Sequence, residues 1–310
     1  PNLYRLRVEI VSGDGTAQDS VQTHFGFRTI EVKNGQILFN GKKLYMKLLL
    51  NQGYFPEGHY TPTDWDLFRA DAAQVLEMGF NGVRMHQKIE NPKFLFWCDA
   101  YGLLVWEEMP SAWLWSGIMR HALRRQWSEA IRRDRNHPCI IAWVPFNESW
   151  GVNNLIWSEK VRSFMKDFVA ETHALDPSRP IIDNSGFEHV QPEILDLHQY
   201  LGTVEQCREY YEKLRDPKNM EFDNANIYKR LKPHETPAVP LAPGVKYNGA
   251  PVMVSEYGGF GFYKTSTGKG LFESVREFTL AIAECDYMWG YAYTQQYDTE
   301  LEKNGLLEFD

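Results

Sequence analysis

The sequence predicts an α/β fold, a (β/α)8 TIM barrel preceded by a partial immunoglobulin-like β-sandwich segment. From Leu44 onward, apolar runs of strand length alternate with amphipathic stretches of helical length, as they do in repeated βα units. Eight candidate strands spread over about 265 residues fit such a barrel, which typically takes ~250 residues. A doubly wound open sheet is the alternative, but no glycine-rich phosphate loop follows any of these strands.

Each apolar run predicts a strand of the barrel, and each amphipathic stretch of helical length predicts a helix. The predicted strands are residues 44–50, 82–85, 103–106, 140–146, 180–183, 194–198, 252–255 and 287–293. The predicted helices are residues 64–78, 91–101, 118–135, 155–175 and 271–284.

The N-terminal part of the chain has the pattern of β structure. Residues 5–10 alternate between polar and apolar side chains, which is the period of a half-buried strand. The pairs Asn34-Gly35 and Asn40-Gly41 flank a short apolar run, and Asn-Gly is the preferred pair for a two-residue hairpin turn. We therefore expect residues 1–35 to be a remnant of a β-sandwich with the hairpin that leads into the barrel. Residues 36–310 would form the barrel, without its last helix.

The composition narrows the class of protein. Apolar residues make up 43% of the 310 residues, enough for a sizeable core, and the net charge is −8 with both signs interleaved. This charge argues against a nucleic-acid partner or an anionic membrane surface. The four cysteines show no paired spacing, and no run reaches the ~18 apolar residues of a membrane span. The compartment stays open between cytoplasmic and secreted or periplasmic.

Two glutamates stand where a barrel places its chemistry, at the carboxyl ends of strands. Residues 140–146 run directly into Asn147 and Glu148, and residues 252–255 run directly into Glu256. Cleavage of a glycosidic bond needs one protonated carboxyl group and one ionised carboxylate on opposite sides of the anomeric carbon. Glu148 and Glu256 are therefore the candidate catalytic pair.

Longer motifs resemble glycoside hydrolase family 2, the family of β-galactosidases, β-glucuronidases and β-mannosidases. The stretch Arg133–Trp143 (RDRNHPCIIAW) with Asn147–Trp150 is similar to the acid/base signature of that family. Residues 26–32, 79–84 and 254–258 resemble the approach to the barrel, the second strand with its arginine, and the nucleophile strand. The resemblance implies a retaining mechanism in which Glu148 is the acid/base and Glu256 the nucleophile.

The resemblance also implies the residues that surround this pair. Asn147 would hydrogen-bond the sugar 2-hydroxyl, and Tyr200 would hold the carboxylate of Glu256. Arg84 and His198 are further candidates for substrate binding. The eighth strand of the family usually delivers a tryptophan on which the sugar stacks, and here Tyr293 would have to take that place.

The sequence departs from the family pattern at positions that concern metal binding and the class of substrate. Magnesium-binding members carry an extra carboxylate and histidine after the third strand, but here residues 107–110 are followed by Ser111, Ala112 and Trp113. We expect no metal and no cofactor. The β-glucuronidases carry an Asn-x-Lys that grips the sugar carboxylate, and residues 300–305 lack that order. A neutral carbohydrate is therefore expected, β-galactose by family frequency, with β-glucuronidase or β-mannosidase activity as alternatives.

Rival interpretations come from other classes of protein. One is a noncatalytic sugar-binding barrel or an inactive fragment, which the presence of both carboxylates argues against. Another is a lyase or aldolase, but such enzymes need a metal or a Schiff-base lysine, and Lys47 is no better than a rim charge. We also expect a piece of a longer protein that lacks β-sandwich domains. Such a piece would show weak activity and an exposed apolar patch beside barrel strands one and eight.

Overall fold

The computed structural model describes residues 1–222, 239–260 and 268–308. The strands in these residues are β1 (Tyr4–Val11), β2 (Ala17–Phe25), β3 (Ile30–Lys33), β4 (Gln36–Phe39), β5 (Lys42–Lys43), β6 (Met46–Asn51), β7 (Gly82–Met85), β8 (Leu104–Glu108), β9 (Ile140–Val144), β10 (Leu195–Gln199), β11 (Val252–Gly258) and β12 (Met288–Thr294). The helices are α1 (Asp66–Glu77), α2 (Pro92–Tyr101), α3 (Gly117–Asp134), α4 (Glu159–Leu175), α5 (Val204–Leu214) and α6 (Leu271–Ala283), and Pro217–Met220 forms a 3-10 helix.

The predicted barrel is confirmed, with one irregular position. The parallel sheet runs in the order β10-β11-β12-β6-β7-β8-β9, and residues 181–185 occupy the place between β9 and β10. These residues make only isolated bridges to β9 and the loop after it, so the predicted regular strand at 180–183 is wrong. Pro180 has no N–H for a ladder, and the carboxylate of Asp183 accepts from the backbone of Val190, which turns the chain away. The backbone N–H of His198 still donates to Gly186 at 3.1 Å, which closes the ring.

The helices cover the outside of the barrel and end close to the predicted residues. α2 is capped at its N-terminus by Asn91, whose side chain accepts from the N–H of Lys93, and at its C-terminus by Gly102, which has a φ of 76°. α5 was not predicted. It begins at Thr203 with a capping box completed by Gln206, a Thr-x-x-Gln signal that the sequence does carry. No helix among the described residues is long and apolar enough to cross a membrane.

The hairpin β3–β4 closes the bottom of the barrel. Asn34 and Gly35 both have positive φ, 52° and 69°, so the predicted two-residue turn is confirmed. Ile37 is fully buried and joins the apolar cluster inside the barrel with Met46 and Leu48. This turn lies at the expected boundary between residues 35 and 36, and the division into two domains stays a prediction.

The hairpin β1–β2 stands apart from the barrel core. Its strands pair with each other, and six of its apolar side chains are 44% to 63% exposed: Tyr4, Leu6, Val8, Ile10, Val11 and Val21. Exposed apolar side chains also lie on α6, which packs against β12: Leu271, Phe272 and Leu280. The expected apolar patch beside β6 and β12 stays a prediction. The assignment of this hairpin to an immunoglobulin-like sandwich stays a prediction.

We predict that Ile37→Ala lowers the free energy of unfolding by about 2–5 kcal/mol, because it leaves a cavity at the bottom of the barrel. Leu301→Ala is the matched control, since that side chain is 84% exposed and its loss should cost less than about 0.5 kcal/mol. Urea unfolding of the two variants measures the difference. Equal stability would show that the hairpin is not part of the barrel core.

Candidate active site

The two predicted catalytic carboxylates face each other across the mouth of the barrel. Glu256 lies in β11 and is 6% exposed, whereas Glu148 follows β9 and its side chain is 30% exposed. One carboxylate oxygen from each glutamate and one ring nitrogen of His198 all lie within 4.8 Å of one another. The fold therefore brings together residues that are 108 positions apart in the sequence.

Glu256 is held by donors on both of its oxygens. Arg84 Nη1 donates to Oε1 at 2.6 Å, and the hydroxyl of Tyr200 donates to Oε2 at 2.6 Å, the contact expected of Tyr200. Burial alone would raise the pKa of Glu256. Electrostatic attraction to His198, Arg84 and His86, together with the hydrogen bond from Tyr200, lowers that pKa to about 2. Glu256 is therefore an ionised carboxylate at neutral pH, the state that a nucleophile needs.

Arg84 connects the strand ends around the site. Its guanidinium is fully buried and donates to Glu108 Oε2 at 2.9 Å, to Glu256 Oε1, and to Asn147 Oδ1 at 2.8 Å. Burial acts to lower the pKa of Arg84, but Glu108 and Glu256 raise it, so the charge persists. Because its side chain has no exposed surface, Arg84 orients the groups around it. Its contact with Asn147 leaves the amide NH2 of Asn147 as the group that can donate to a ligand.

The turn that carries Glu148 is strained. Glu148 and Ser149 both have positive φ, 49° and 60°, a region that residues other than glycine rarely adopt. The Glu148 N–H donates to Ser185 O at 3.0 Å, and the Ser149 N–H donates to Asn184 Oδ1 at 2.9 Å. Ser149 Oγ also donates to Glu188 Oε2 at 2.7 Å. These bonds run to residues 184, 185 and 188, at and just after the irregular segment between β9 and β10. They hold the Glu148 side chain at the mouth of the barrel.

His198 lies between the two glutamates. Its Nδ1 is 2.7 Å from Glu148 Oε1 and 3.5 Å from Glu256 Oε2, and its Nε2 is 3.3 Å from Arg84 Nη1. Nε2 also lies 3.2 Å from Ser185 Oγ, so this nitrogen faces both a donor and a hydroxyl that can accept, while Nδ1 faces Glu148. Gly186, with a φ of 106°, makes room for the ring, since a Cβ there would lie 2.6 Å from it.

A cleft of about 350 Å³ lies beside the glutamates at the barrel mouth. Its lining residues are Gln52, Tyr60, His86, Gln87, Pro110, Ser111, Ala112, Trp113 and Trp150. His86 Nδ1 is 3.7 Å from Glu256 Oε1 and 3.4 Å from Glu108 Oε1. The sequence analysis did not name His86 as a site residue, although its place directly after β7 is a signal.

The structure does not bring Tyr293 to this cluster. Its ring is fully buried among Tyr257 and Phe260 on the helix side of the sheet, and its hydroxyl donates to Asn304 O at 2.8 Å. The expectation that Tyr293 offers a face to the sugar is therefore corrected. Its neighbour Thr294 points to the site instead, and its Oγ1 lies 3.2 Å from the hydroxyl oxygen of Tyr200.

Within the described part of the chain, two groups of side chains have atoms of metal-ligating type close together. Glu148, His198 and Glu256 form one, and His24, Asp99 and His137 form the other at the junction between β2 and α2. In the second group, His24 and His137 each lie 2.6 Å from the same oxygen of Asp99, which is a hydrogen-bond distance. The expected absence of a metal stays a prediction.

The sequence of this chain is similar to a family model and to the sequences of several glycosidases. The sequence model of "Glycosyl hydrolases family 2, TIM barrel domain" matches residues 30–307. A β-galactosidase of Vibrio vulnificus is 33% identical over 190 residues, which cover 58% of this chain and 17% of that protein. The human β-glucuronidase is 29% identical over 194 residues, covering 60% of this chain and 29% of that protein. The matched segments are thus a minor part of these relatives.

Solved structures share the fold. The β-glucuronidase of Bifidobacterium dentium, complexed with coumarin-3-O-glucuronide, superposes with a TM-score of 0.76 at 19% identity, covering 99% of this chain and 51% of that chain. A putative β-galactosidase of Bacteroides fragilis gives 0.74 at 18% identity, covering 99% and 46%. The chain therefore spans about half the length of these two relatives. Because the family model covers nearly the whole sequence, the chain belongs to glycoside hydrolase family 2 and contains its TIM barrel domain.

Proposed function

We propose that the chain is the catalytic barrel of a retaining exo-β-glycosidase that removes a terminal neutral β-linked sugar, as a β-galactosidase does, by double displacement. The observation that carries this proposal is the short gap between the carboxylates, whose nearest ligand-type oxygens lie within 4.8 Å. Retaining glycosidases have carboxyl groups about 5–5.5 Å apart, whereas inverting enzymes need about 6.5–9.5 Å for a water.

In the first step, a carboxylate oxygen of Glu256 attacks the anomeric carbon as its bond to the leaving oxygen breaks. Glu148 gives its proton to that oxygen, which leaves as an alcohol. The low pKa of Glu256 keeps the attacking oxygen ionised. The exposed position of Glu148 suits a group that must reach a leaving group arriving from solvent.

In the second step, water attacks the glycosyl ester of Glu256 and Glu148 takes the proton of that water. The ester bond to the sugar breaks, and the bonding electrons return to Glu256 as a carboxylate. Arg84 and Tyr200 favour this step because both donate to the oxygens on which the negative charge reappears. Asn147 supports both steps if its amide binds the 2-hydroxyl.

The neutral substrate is supported by the composition of the cleft. Among the described residues that line it there is no lysine or arginine. Lys88 lies nearby, but its Nζ is held by Glu90 at 2.9 Å and by the carbonyl of Gly53 at 2.8 Å. A sugar carboxylate would therefore lack a lysine or arginine partner in this cleft, whereas hydroxyl groups can bind Gln52, Gln87 and Ser111.

A β-glucuronide is the second candidate substrate. The observation that favours it is His86: burial acts to lower its pKa, but Glu108 and Glu256 raise it, so this ring carries positive charge over a wider pH range. Several relatives of similar identity are named β-glucuronidases. A panel of 4-nitrophenyl β-galactoside, β-glucoside, β-mannoside and β-glucuronide decides between the candidates. Absence of any hydrolysis would favour a noncatalytic barrel.

The roles of the glutamates predict different losses on substitution. Glu256→Ala should lose turnover on every substrate, and added azide should restore product as an α-glycosyl azide, because the anion attacks from the vacated side. Glu148→Ala should still react with substrates whose leaving groups need no proton, and azide should then give the β-glycosyl azide. The exposed Glu308, changed to Ala, is the control and should keep full activity. If instead Glu256→Ala gave the β-glycosyl azide and Glu148→Ala gave the α-glycosyl azide, the two assigned roles would have to be exchanged.

The spacing of the carboxylates predicts the stereochemistry. During hydrolysis of a 4-nitrophenyl β-glycoside, proton NMR should show the β-anomer of the free sugar first, before mutarotation produces the α-anomer. The α-anomer as the first product would indicate inversion and contradict the double displacement.

The low pKa of Glu256 predicts a shift of the pH profile on loss of a donor. Tyr200→Phe removes a hydrogen bond to the charged form, so the pKa of Glu256 should rise above about 2 and the acid limb of kcat/KM should move to higher pH. Rates measured from about pH 2 to pH 7 include the acid limb and would show the shift. Tyr4→Phe, on the exposed hairpin, is the control. Superimposable acid limbs of Tyr200→Phe and wild type would mean that Tyr200 does not stabilise the carboxylate.

A further inference from the structure

A buried group of polar and charged side chains lies beside the two catalytic candidates. Its members have no exposed surface and belong to β10 and to the irregular segment before it: Asp183, Ser185, His189 and Asp196. His189 lies between the two carboxylates, with Nδ1 2.6 Å from Asp183 Oδ1 and Nε2 3.2 Å from Asp196 Oδ1. The two chemical steps proposed above use none of these side chains.

The charges in this group compensate one another. Burial acts to lower the pKa of His189, but Asp183 and Asp196 raise it to about 10. Burial acts to raise the pKa of Asp196, but contact with His189 and nearby positive charges lower it. Asp196 is therefore ionised inside the barrel, where its oxygens can only accept hydrogen bonds.

One oxygen of Asp196 joins the segments that carry the two glutamates. The hydroxyls of Ser185 and Ser255 both donate to Asp196 Oδ2. Ser255 directly precedes Glu256 in β11. The backbone oxygen of Ser185 accepts from the N–H of Glu148 at 3.0 Å. The carboxylate of Asp196 therefore connects the segment that anchors the acid/base to the strand that carries the nucleophile.

The same contacts determine how His198 meets Glu148. Since Asp196 only accepts, the Ser185 proton points at Asp196, and a lone pair of Ser185 Oγ faces His198 Nε2 at 3.2 Å. Arg84 Nη1, 3.3 Å from the same nitrogen, has oxygen acceptors for its two hydrogens. We therefore expect Nε2 to carry a proton that it donates to Ser185. This bond fixes the ring, and Nδ1 stays 2.7 Å from Glu148 Oε1.

We propose that Asp196 is a positioning residue, which holds the ring of His198 against the acid/base Glu148 through a serine hydroxyl. The inference rests on the proposed glycosidase function. Without this hold the carboxyl group of Glu148 turns away from the leaving oxygen, and protonation of that oxygen in the first step is impaired. Substrates with poor leaving groups need this proton, whereas substrates with good leaving groups do not.

The experiment removes either the carboxylate or the serine hydroxyl. Asp196→Asn exchanges one oxygen for an NH2 group, which would face either the serine hydroxyls or His189 Nε2, and all of these groups donate. Ser185→Ala removes a single oxygen atom and is the milder change. The matched controls are Asp176→Asn and Ser274→Ala, at buried side chains of the same types outside this group.

The substrates are dinitrophenyl, nitrophenyl and phenyl β-glycosides of the sugar that the panel above identifies. kcat/KM is measured because it reports the step in which the leaving group departs. For Asp196→Asn and Ser185→Ala, we expect kcat/KM to fall about tenfold to a hundredfold on the phenyl glycoside but less than about threefold on the dinitrophenyl glycoside. Both controls should keep the wild-type ratio. An equal loss on all three leaving groups would indicate a merely structural effect and overturn the assignment.

A spectroscopic measurement separates failure of this inference from failure of the proposed function. Long-range proton–nitrogen NMR spectra of protein with isotope-labelled histidines report which ring nitrogens carry protons, and His198→Gln identifies the His198 signals. We expect a proton on Nε2, and a changed Nε2 signal in Asp196→Asn and Ser185→Ala but not in the controls. If the signals behave in this way and wild type hydrolyses no glycoside, the glycosidase proposal fails and the positioning of His198 by Asp196 stands.

The opposite combination overturns the inference alone. If wild type hydrolyses a glycoside but the His198 signals are the same in all variants, Asp196 does not position the ring and the glycosidase proposal stands. A wild-type spectrum without a proton on Nε2 also overturns the assignment, whatever the activity. Melting temperatures identify the folded variants, and Ser185→Ala carries the test if Asp196→Asn does not fold.

Discussion

The buried guanidinium of Arg84 is the interaction on which the rest of the site depends. It joins β7 to Glu108 of β8, to Asn147 after β9 and to Glu256 of β11, so four strand ends share one cation. Removal of that cation would leave two carboxylates buried beside each other without compensation, which costs several kcal/mol. The planar group with its several donors also fixes the angles between these partners, which a lysine could not do.

The polar side chains at the carboxyl ends of the strands are separate from the apolar packing at the bottom of the barrel. The bottom of the barrel is closed by apolar side chains of β3 and β4, such as Ile37, and needs no polar partner. At the top, Arg84 pairs with Glu108, Asn147 and Glu256. The backbone of Glu148 adopts a left-handed conformation there, which hydrogen bonds to Asn184 and Ser185 support. The stability of the barrel and the geometry of the site therefore depend on different parts of the chain.

The sequence was sufficient for the barrel and for residues directly after strands, because the end of an apolar run marks the end of a strand. Glu148 and Glu256 were named in this way, whereas Tyr200 was named from the resemblance to the family. Tyr293 was placed on the wrong face because side chains alternate along a strand, and a shift of one residue exchanges the inside of a barrel for the outside. The contact between Gln52 and Glu302 joins positions 250 residues apart, and no local pattern in the sequence encodes such a contact.

The two catalytic candidates differ in their surroundings in the way that their proposed roles require. Glu256 has a cation and a phenol on its oxygens, so its proton is lost easily and its charge is stabilised before any substrate arrives. Glu148 is more exposed and has His198 on one oxygen, which leaves the other oxygen to carry a proton. In the proposed double displacement, the ester of Glu256 carries no negative charge, and Glu148 takes the proton of the attacking water. Under that proposal the same pair of side chains serves both steps, because Arg84 and Tyr200 hold only Glu256 in the ionised state before substrate arrives.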